Sequence, residues 1–439
     1  MKRLASILTV FAIIFLLCRV YAQNSSLSNL RSIARSDSGI YAAVGDAGLI
    51  ITSTDGSNWS KVMSYTSENL NGITWAMEKF IAVGDKGTVL TSSNGKDWAK
   101  ANISGKEVDL YSVAGSDKEI IVAGDEGTVF VSKDGVLWEQ RRLATKEKIY
   151  RVRWINDRYF AVGYPMLILT SEDGITWEEA KAELSSNITF NDITWNGDKY
   201  AVVGNRLNIW LSKDGKVWSQ NEAILDKEGM DSTRNIYSVL YTGDKFVTAG
   251  DGGDVLSSTD SSDWQREDSN TGRNLKDIIY SEGKFTAVGE KGIIITSDDG
   301  IKWTNHDIIS VSADNRNLKP GQQKQLIILL YAPYGDSEDI TGEALFEVVE
   351  GTDVVSVGEN GEIKALGVGR ASVKATYDAK WIEVSVSVEE DTSAKSGLNE
   401  GGNGREDENS SKQLNILIAA GAVIAVVALS LILMKLKRD

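Results

Sequence analysis

The 439-residue chain predicts an all-β protein: a seven-bladed β-propeller, then a small β-sandwich, with one membrane-spanning helix near the C-terminus. Three observations carry this. A glycine recurs at Gly45, Gly84, Gly124, Gly163, Gly204, Gly250 and Gly289, and fourteen residues after each comes Trp59, Trp98, Trp138, Trp177, Trp218, Trp264 or Trp303. Within each copy of about forty residues, apolar positions alternate with period two, as in "NGITWA", "FIAVG" and "TVLTS". That is the period of strands, and four strands per unit repeated around a ring make a propeller. Finally, "LNILIAAGAVIAVVALSLILM" (414–434) has no charge over 21 residues, enough to cross a hydrocarbon core as a helix.

The N-terminal run "LASILTVFAIIFLLCRVYA" follows Lys2 and Arg3 and ends in small residues, which marks a signal peptide over 1–22. Its removal takes away Cys18, the only cysteine, and with it disulfides, thiol nucleophiles and cysteine-ligated metals. The propeller is expected over 30–307. In "VGDKGTVLTSSNGKDW" (83–98), "VGDKG" is the turn between second and third strands and "SSNGKDW" the hairpin into the fourth. That hairpin carries Asp55, Asn94, Asp134, Asp173, Asp214, Asp260 or Asp299, followed by glycine except at Ser261. Asp-Gly predicts a type I′ turn, with the serine two places earlier bonding local backbone and the tryptophan covering the blade core. A solenoid is the rival architecture, disfavoured because no capping units flank the array.

These hairpins resemble the Asp-box, or BNR-like, repeats of sialidase-type propellers and of the photosystem assembly factor family. The family pattern is Ser/Thr-x-Asp-x-Gly-x-x-Trp; here, as in "STDGSNW", the residue between Asp and Gly is missing. The resemblance implies that the boxes serve folding and that activity lies on the opposite rim. After the propeller, "GEIKALGVGRASVKATY" and "WIEVSVSV" read as alternating strands of a sandwich over 308–388. This segment resembles the group 2 bacterial immunoglobulin-like domain, which implies a spacer or adhesion unit. Residues 389–412 are polar, acidic and glycine-bearing, a composition that forms a flexible stalk. The transmembrane helix spans 413–434, and Lys435, Lys437 and Arg438 keep the tail (435–439) cytoplasmic, leaving the rest outside the cell.

A net charge of −15 and a pI near 4.8 oppose nucleic-acid binding. Departures from the repeat point instead to one face over blades 3 to 6. Blade 4 replaces the acid-x-Gly turn with Tyr164, Pro165 and Met166, and blade 5 with Asn205, Arg206 and Leu207. The link from blade 5 to blade 6 (221–235) is stretched, and Arg141, Arg142, Arg151 and Arg153 form a basic cluster with Lys146 and Lys148. Such a face would hold an acidic protein segment or a glycan. The turn acids Asp46, Asp85, Asp125, Asp251 and Glu290 read as turn caps, and Trp75, Trp154, Trp195, Tyr241 and Tyr280 as packing between blades.

The function expected is therefore a membrane-anchored extracellular binding or scaffolding protein without cofactor or metal, recognising a protein or glycan. Two alternatives stand beside it: an assembly factor for a membrane complex, gripping through the basic face, and a sialidase-like glycoside hydrolase. The hydrolase requires two carboxylates about 5 to 10 Å apart over the channel with arginines between them. The Arg-x-Pro signature is missing, the only prolines being Pro165, Pro320 and Pro333, and the single histidine, His306, reads as a surface residue.

Overall fold

The second strand of every repeat, such as Tyr41–Gly45, Ile120–Gly124 and Tyr200–Gly204, is buried over five successive residues. Simple alternation is absent there because neighbouring sheets cover both faces, and small and β-branched residues fill the space. The computed structural model describes residues 26–390 except 102, 104–106, 144, 183–187, 222–230 and 313–316. The expected signal peptide, transmembrane helix and tail, and all but the first residues of the stalk, lie outside the described residues. Among the described residues no helix is long and apolar enough to cross a membrane.

Seven four-stranded antiparallel meanders follow one another, here sheets 1 to 7, at the seven copies of the repeat. Sheet 5 carries one extra short strand, Lys181–Ala182, paired in parallel with Val217–Gln220. The first strands are Leu30–Arg35, Leu70–Ala76, Leu110–Gly115, Lys148–Ile155, Phe190–Trp195, Ile236–Tyr241 and Leu275–Ser281. Each lies against the next, and the last lies against the first. The sheets thus close into a propeller ring, which rules out a solenoid.

The recurring glycine is explained by close approach. Its φ is extended (−168° at Gly45, −163° at Gly84), but a Cβ at any of the seven positions would strike the carbonyl of the residue that precedes the first strand's leading apolar side chain. The clash arises because every first strand is bulged just after its leading apolar residue, so that Leu30 pairs with Gly45 while Ser32 already pairs with Val44.

The hairpins build one network seven times. The box carboxylate or amide Oδ1 accepts from the backbone N–H groups two and three residues on, as Asp134 does from Val136 and Leu137 at 2.8 and 2.9 Å. Asn94 does the same from Lys96 and Asp97, both at 2.9 Å. The serine donates to that Oδ1, and in five sheets its oxygen accepts from the following glycine. Trp59 Nε1 then donates to Gly56 O at 3.1 Å. The turn is not type I′: the glycines are left-handed (Gly56 φ 74°) and Ser261 takes that conformation at 68°, while no box Asp or Asn does. The side-chain acceptor substitutes for the second left-handed residue.

Trp75, Trp154, Trp195 and Tyr241 pack between sheets, each in a core shared with the preceding sheet, whereas Tyr280 is exposed. Each of the five pairs across strands with the first aromatic of its own second strand, Trp75 with Phe80 at 4.8 Å and Tyr280 with Phe285 at 4.5 Å. That aromatic in turn meets the hairpin tryptophan, as Phe80 meets Trp98 at 6.2 Å. Burying three aromatic side chains in this way contributes roughly 1.5–3 kcal/mol for each one fully covered.

Two sets of side chains join sheet to sheet. At the third residue of the first strand, Ser32 Oγ accepts from Ile73 N (3.3 Å), Ser112 Oγ from Val152 N (3.1 Å), Asp192 from Val239 N (3.2 Å) and Asp277 from Ile33 N (3.2 Å). Nearer the rim, Asn69 Oδ1 accepts from Ala47 N of the preceding sheet while its Nδ2 donates to Asp85 of its own. Asn235, Asn274 and Asn29 repeat this clamp, and Asn29 joins sheet 7 to sheet 1 through Lys291 N at 3.0 Å. The ring therefore closes with no shared strand, by the same hydrogen bonds that join consecutive sheets.

Residues 308–388 form three small sheets around Leu326, Val355, Ile363, Val373 and Val384. This second unit shares a core with the seam of the ring. Ile328, Leu330, Ala332 and Tyr334 pack with Leu27, Leu30, Ile33 and Trp59 of sheet 1 and with Val288 and Ile294 of sheet 7. Tyr334 fills the space left by Gly292, where any Cβ would meet its hydroxyl. Ion pairs bracket the seam: Arg273 binds Asp307 and Asp378, Lys291 binds Glu343 (2.8 Å), and Lys61 binds Asp336. His306 belongs to this joint and not to the open surface. It is half-buried, with Nε2 2.8 Å from Thr296 Oγ1, and burial lowers its pKa.

Two outcomes are expected. Asp277→Ala leaves Ile33 N and the Arg151 guanidinium short of a buried partner, and should cost about 3–5 kcal/mol in urea denaturation; a loss below about 1 kcal/mol would remove Asp277 from ring closure. The box carboxyls are held low by the backbone N–H groups they accept, that of Asp299 down to about 2. Protons therefore bind the unfolded chain first, and the stability these groups contribute is present above their ordinary pKa and lost as pH falls toward 2. Calorimetry should show the midpoint dropping over that window, with a shallower drop in Asp299→Asn.

Candidate functional site

The bulge at the head of each first strand frees one side chain from the pleat and aims it along the ring axis. The seven residues so placed are Arg31, Asn71, Tyr111, Tyr150, Asn191, Tyr237 and Lys276, one per sheet. All seven line one cavity of about 470 Å³, with Asn29, Arg151 and Glu290. It opens on the rim that carries the second-to-third-strand turns and the links between sheets, opposite the hairpins, because the head of the first strand pairs with the end of the second.

The turn acids stand directly behind this ring. Asp46 holds Arg31, Asp85 holds Asn71 (2.8 Å), Asp125 holds the Tyr111 hydroxyl (3.2 Å), Asp251 the Tyr237 hydroxyl (2.6 Å) and Glu290 the Lys276 ammonium (3.4 Å). They do not cap their own turns, whose N–H groups bond the acid residue's backbone carbonyl; each carboxylate instead fixes the rotamer of a mouth residue. Burial, with Asp125 adding to it, pushes the Tyr111 hydroxyl up to about 12, and burial with the Asp251 hydrogen bond raises that of Tyr237. Both stay protonated donors at neutral pH. Sheets 4 and 5 lack the acid, and there Tyr150 has no such partner while Asn191 Nδ2 donates to Ile236 O at 2.7 Å.

Below the mouth the channel is closed by a charged network. Arg153 grips Asp192 with two hydrogen bonds of 2.9 and 2.7 Å. Arg151 lies between Asp192 (3.5 Å) and Asp277 (3.4 Å), and Ser238 Oγ stands 2.9 Å from an oxygen of each carboxylate. Burial alone would raise the Asp192 pKa, but Arg153 and Arg151 outweigh it and hold the carboxyl below the ordinary range. Two carboxylates with arginine between them do meet over the axis, the arrangement a glycosidase requires. They are nonetheless buried, and their oxygens are taken by Arg153, Ser32, Ser238 and backbone N–H groups. A general acid needs a raised pKa and access to substrate, and Asp192 has neither.

The residues singled out from the sequence are thereby divided. Arg151 and Arg153 are channel residues neutralised by Asp192 and Asp277, and do not form an open basic face. Arg141 sits on the outermost strand of sheet 3, paired with Glu139 at 3.2 Å, while the side chain of Arg142 lies outside what is described, as do residues 222–230 of the long link. Tyr164, Pro165, Met166, Asn205 and Arg206 do lie on the mouth-side rim. Tyr164 is exposed, Met166 packs against the sheet 4/5 core, and Asn205 Oδ1 accepts from Thr189 N at 2.8 Å. Leu207 cannot touch a ligand, being 1% exposed in the core beneath the turn. The mouth ring itself escaped the sequence reading. Its signal was the position after the leading apolar residue, which reads Arg, Asn, Tyr, Tyr, Asn, Tyr, Lys, whereas alternation alone predicts an ordinary strand residue there. Among the described residues no group of His, Cys, Asp and Glu is arranged to hold a metal.

Comparison with known proteins agrees with the ring. A family model described as the DUF6242 beta propeller domain matches residues 171–318. No curated protein matches the chain. Among solved structures, YCF48 bound to D1 peptide is similar at 17% identity and a TM-score of 0.52, over 62% of this chain and 93% of that one. A catalytically inactive virginiamycin B lyase from Staphylococcus aureus, with quinupristin, is similar at 10% identity and a TM-score of 0.53, over 62% and 95%. The WD40 β-propeller domain of Doa1 is similar at 14% and 0.51, over 63% and 94%. At these identities the likeness is one of fold: residues 171–318 match a β-propeller family, and the ring as a whole is built like theirs.

Proposed function

We propose that this protein is a non-catalytic binding or scaffolding protein whose seven-bladed propeller receives its partner at the channel mouth. One observation carries the reading: seven bulges aim seven side chains of differing chemistry at one cavity, in a repeat that is otherwise uniform. A ring kept only for stability has no use for that variety at the one position the backbone presents to solvent along the axis. The peptide-bound state of YCF48 supports a protein partner for a ring of this build, and the saturated Asp192 and Asp277 speak against hydrolysis. In the same reading the hairpins are structural Asp boxes, and 308–388 is an immunoglobulin-like unit. Residues 1–22 are a signal peptide, 389–412 a stalk, 413–434 a membrane helix and 435–439 a cytoplasmic tail, so the mouth works outside the cell.

The test is capture from the surrounding proteins and glycoconjugates by immobilised full-length chain. Tyr111→Ala combined with Tyr237→Ala should reduce capture about tenfold or more, and Arg141→Ala, on the outer edge, should leave it unchanged. The reverse pattern in folded variants would move the site to the basic outer edge.

A further inference from the structure

Resting on that reading of the mouth, we infer that its ligand is a neutral saccharide chain end, seated on Tyr150. The mouth is already neutralised from within. Arg31 is held by Asp46, Lys276 by Glu290 and Lys148 by Asp125 (3.0 Å), so an incoming anion would have to displace a fixed carboxylate at each cation. A cationic ligand fares no better, since the protein's own ammonium groups occupy the tyrosine faces. Lys276 Nζ stands 3.8 Å from the Tyr237 ring centre and Lys148 Nζ 5.6 Å from that of Tyr111. An extended peptide needs free backbone along a strand edge. The inner-edge amides of Ile33, Ile73, Val152 and Val239 are taken by the side-chain staples.

Two groups without full partners face the cavity. Tyr150 is half-buried, its ring 5.4 Å from that of Tyr111, and its hydroxyl has no hydrogen bond among the described residues. Asn191 donates through Nδ2, which leaves its Oδ1 as a free acceptor. Arg151, the remaining cation of the lining, is neutralised by Asp192 and Asp277 and offers no open donor. One aromatic face that carries its own hydroxyl donor, with a separate acceptor in the same cavity, fits a molecule with a C–H face and hydroxyls that both donate and accept. A pyranose is such a molecule, and about 470 Å³ admits one or two of them.

The experiment is calorimetric titration of the full-length protein in a sugar-free detergent. The probes are neutral trisaccharides (cello-, malto-, xylo- and N-acetylchitotriose), with trigalacturonate and acidic and basic peptides as charged comparators. At least one neutral sugar should bind with an affinity insensitive to salt. Binding should weaken about tenfold or more in Tyr150→Ala, and several-fold in Tyr150→Phe and Asn191→Ala, with unchanged melting temperature. Binding of none of the neutral sugars, binding of a charged probe in a salt-sensitive way, or neutral-sugar binding indifferent to both Tyr150→Phe and Asn191→Ala would each overturn the inference. If a captured partner is lost in the Tyr111/Tyr237 variant yet survives its own deglycosylation, the saccharide fails while the mouth remains the site. If mouth variants change neither capture nor titration, both readings fall.

Discussion

A ring that borrows no strand across its seam must be held shut by side chains, and everything else in this propeller depends on how that is done. Asp277 is the central case. It reaches from sheet 7 to the Ile33 amide and the Ser32 hydroxyl of sheet 1, and its other oxygen faces Ser238 and Arg151 across the axis. A buried carboxylate is tolerable only when its charge is matched and its lone pairs are filled, and here the neighbouring sheets supply both. The same staple joins four of the seven successive pairs. The seam between first and last sheets is therefore chemically ordinary, although no strand crosses it.

That solution also shapes the mouth. Because buried carboxylates and arginines bridge the axis, a ligand at the mouth meets the layer above them. The bulges create that layer by lifting one residue per sheet out of the pleat, and the turn acids then fix what has been lifted. In sheets 4 and 5, where the acid is lost, the mouth residues keep unfilled hydrogen-bonding capacity. The departures from the repeat at Tyr164–Met166 and Asn205–Leu207 thus matter mainly through the partner they withhold from Tyr150 and Asn191.

The architecture was legible in the sequence because its causes are local and repeated. The glycine marks a backbone collision, the box Asp a fixed pair of amide donors, and the tryptophan a stacking partner two strands away. What was not legible depends on the axis. Arg151 and Arg153 look like an open basic stretch until Asp192, some forty residues on, and Asp277, more than a hundred on, are brought against them. Leu207 looks like a rim residue until the turn folds it under. The bulge that defines the mouth is a register shift, and a pattern of period two cannot announce it. The joint with the second unit was hidden for the same reason, since Tyr334 and Gly292 carry no mark of each other in the chain.

That joint has a consequence in time. Leu27 and Leu30 complete their packing only when Ile328, Leu330 and Tyr334 arrive, some three hundred residues later. A chain made from its N-terminus leaves part of the apolar side of its first sheet uncovered until the second unit begins to form. Contacts of such sequence separation form slowly, and surfaces exposed while waiting are prone to aggregate. The last β-unit is in this sense the final step in making the first, and the chain reaches its native state from the end backwards.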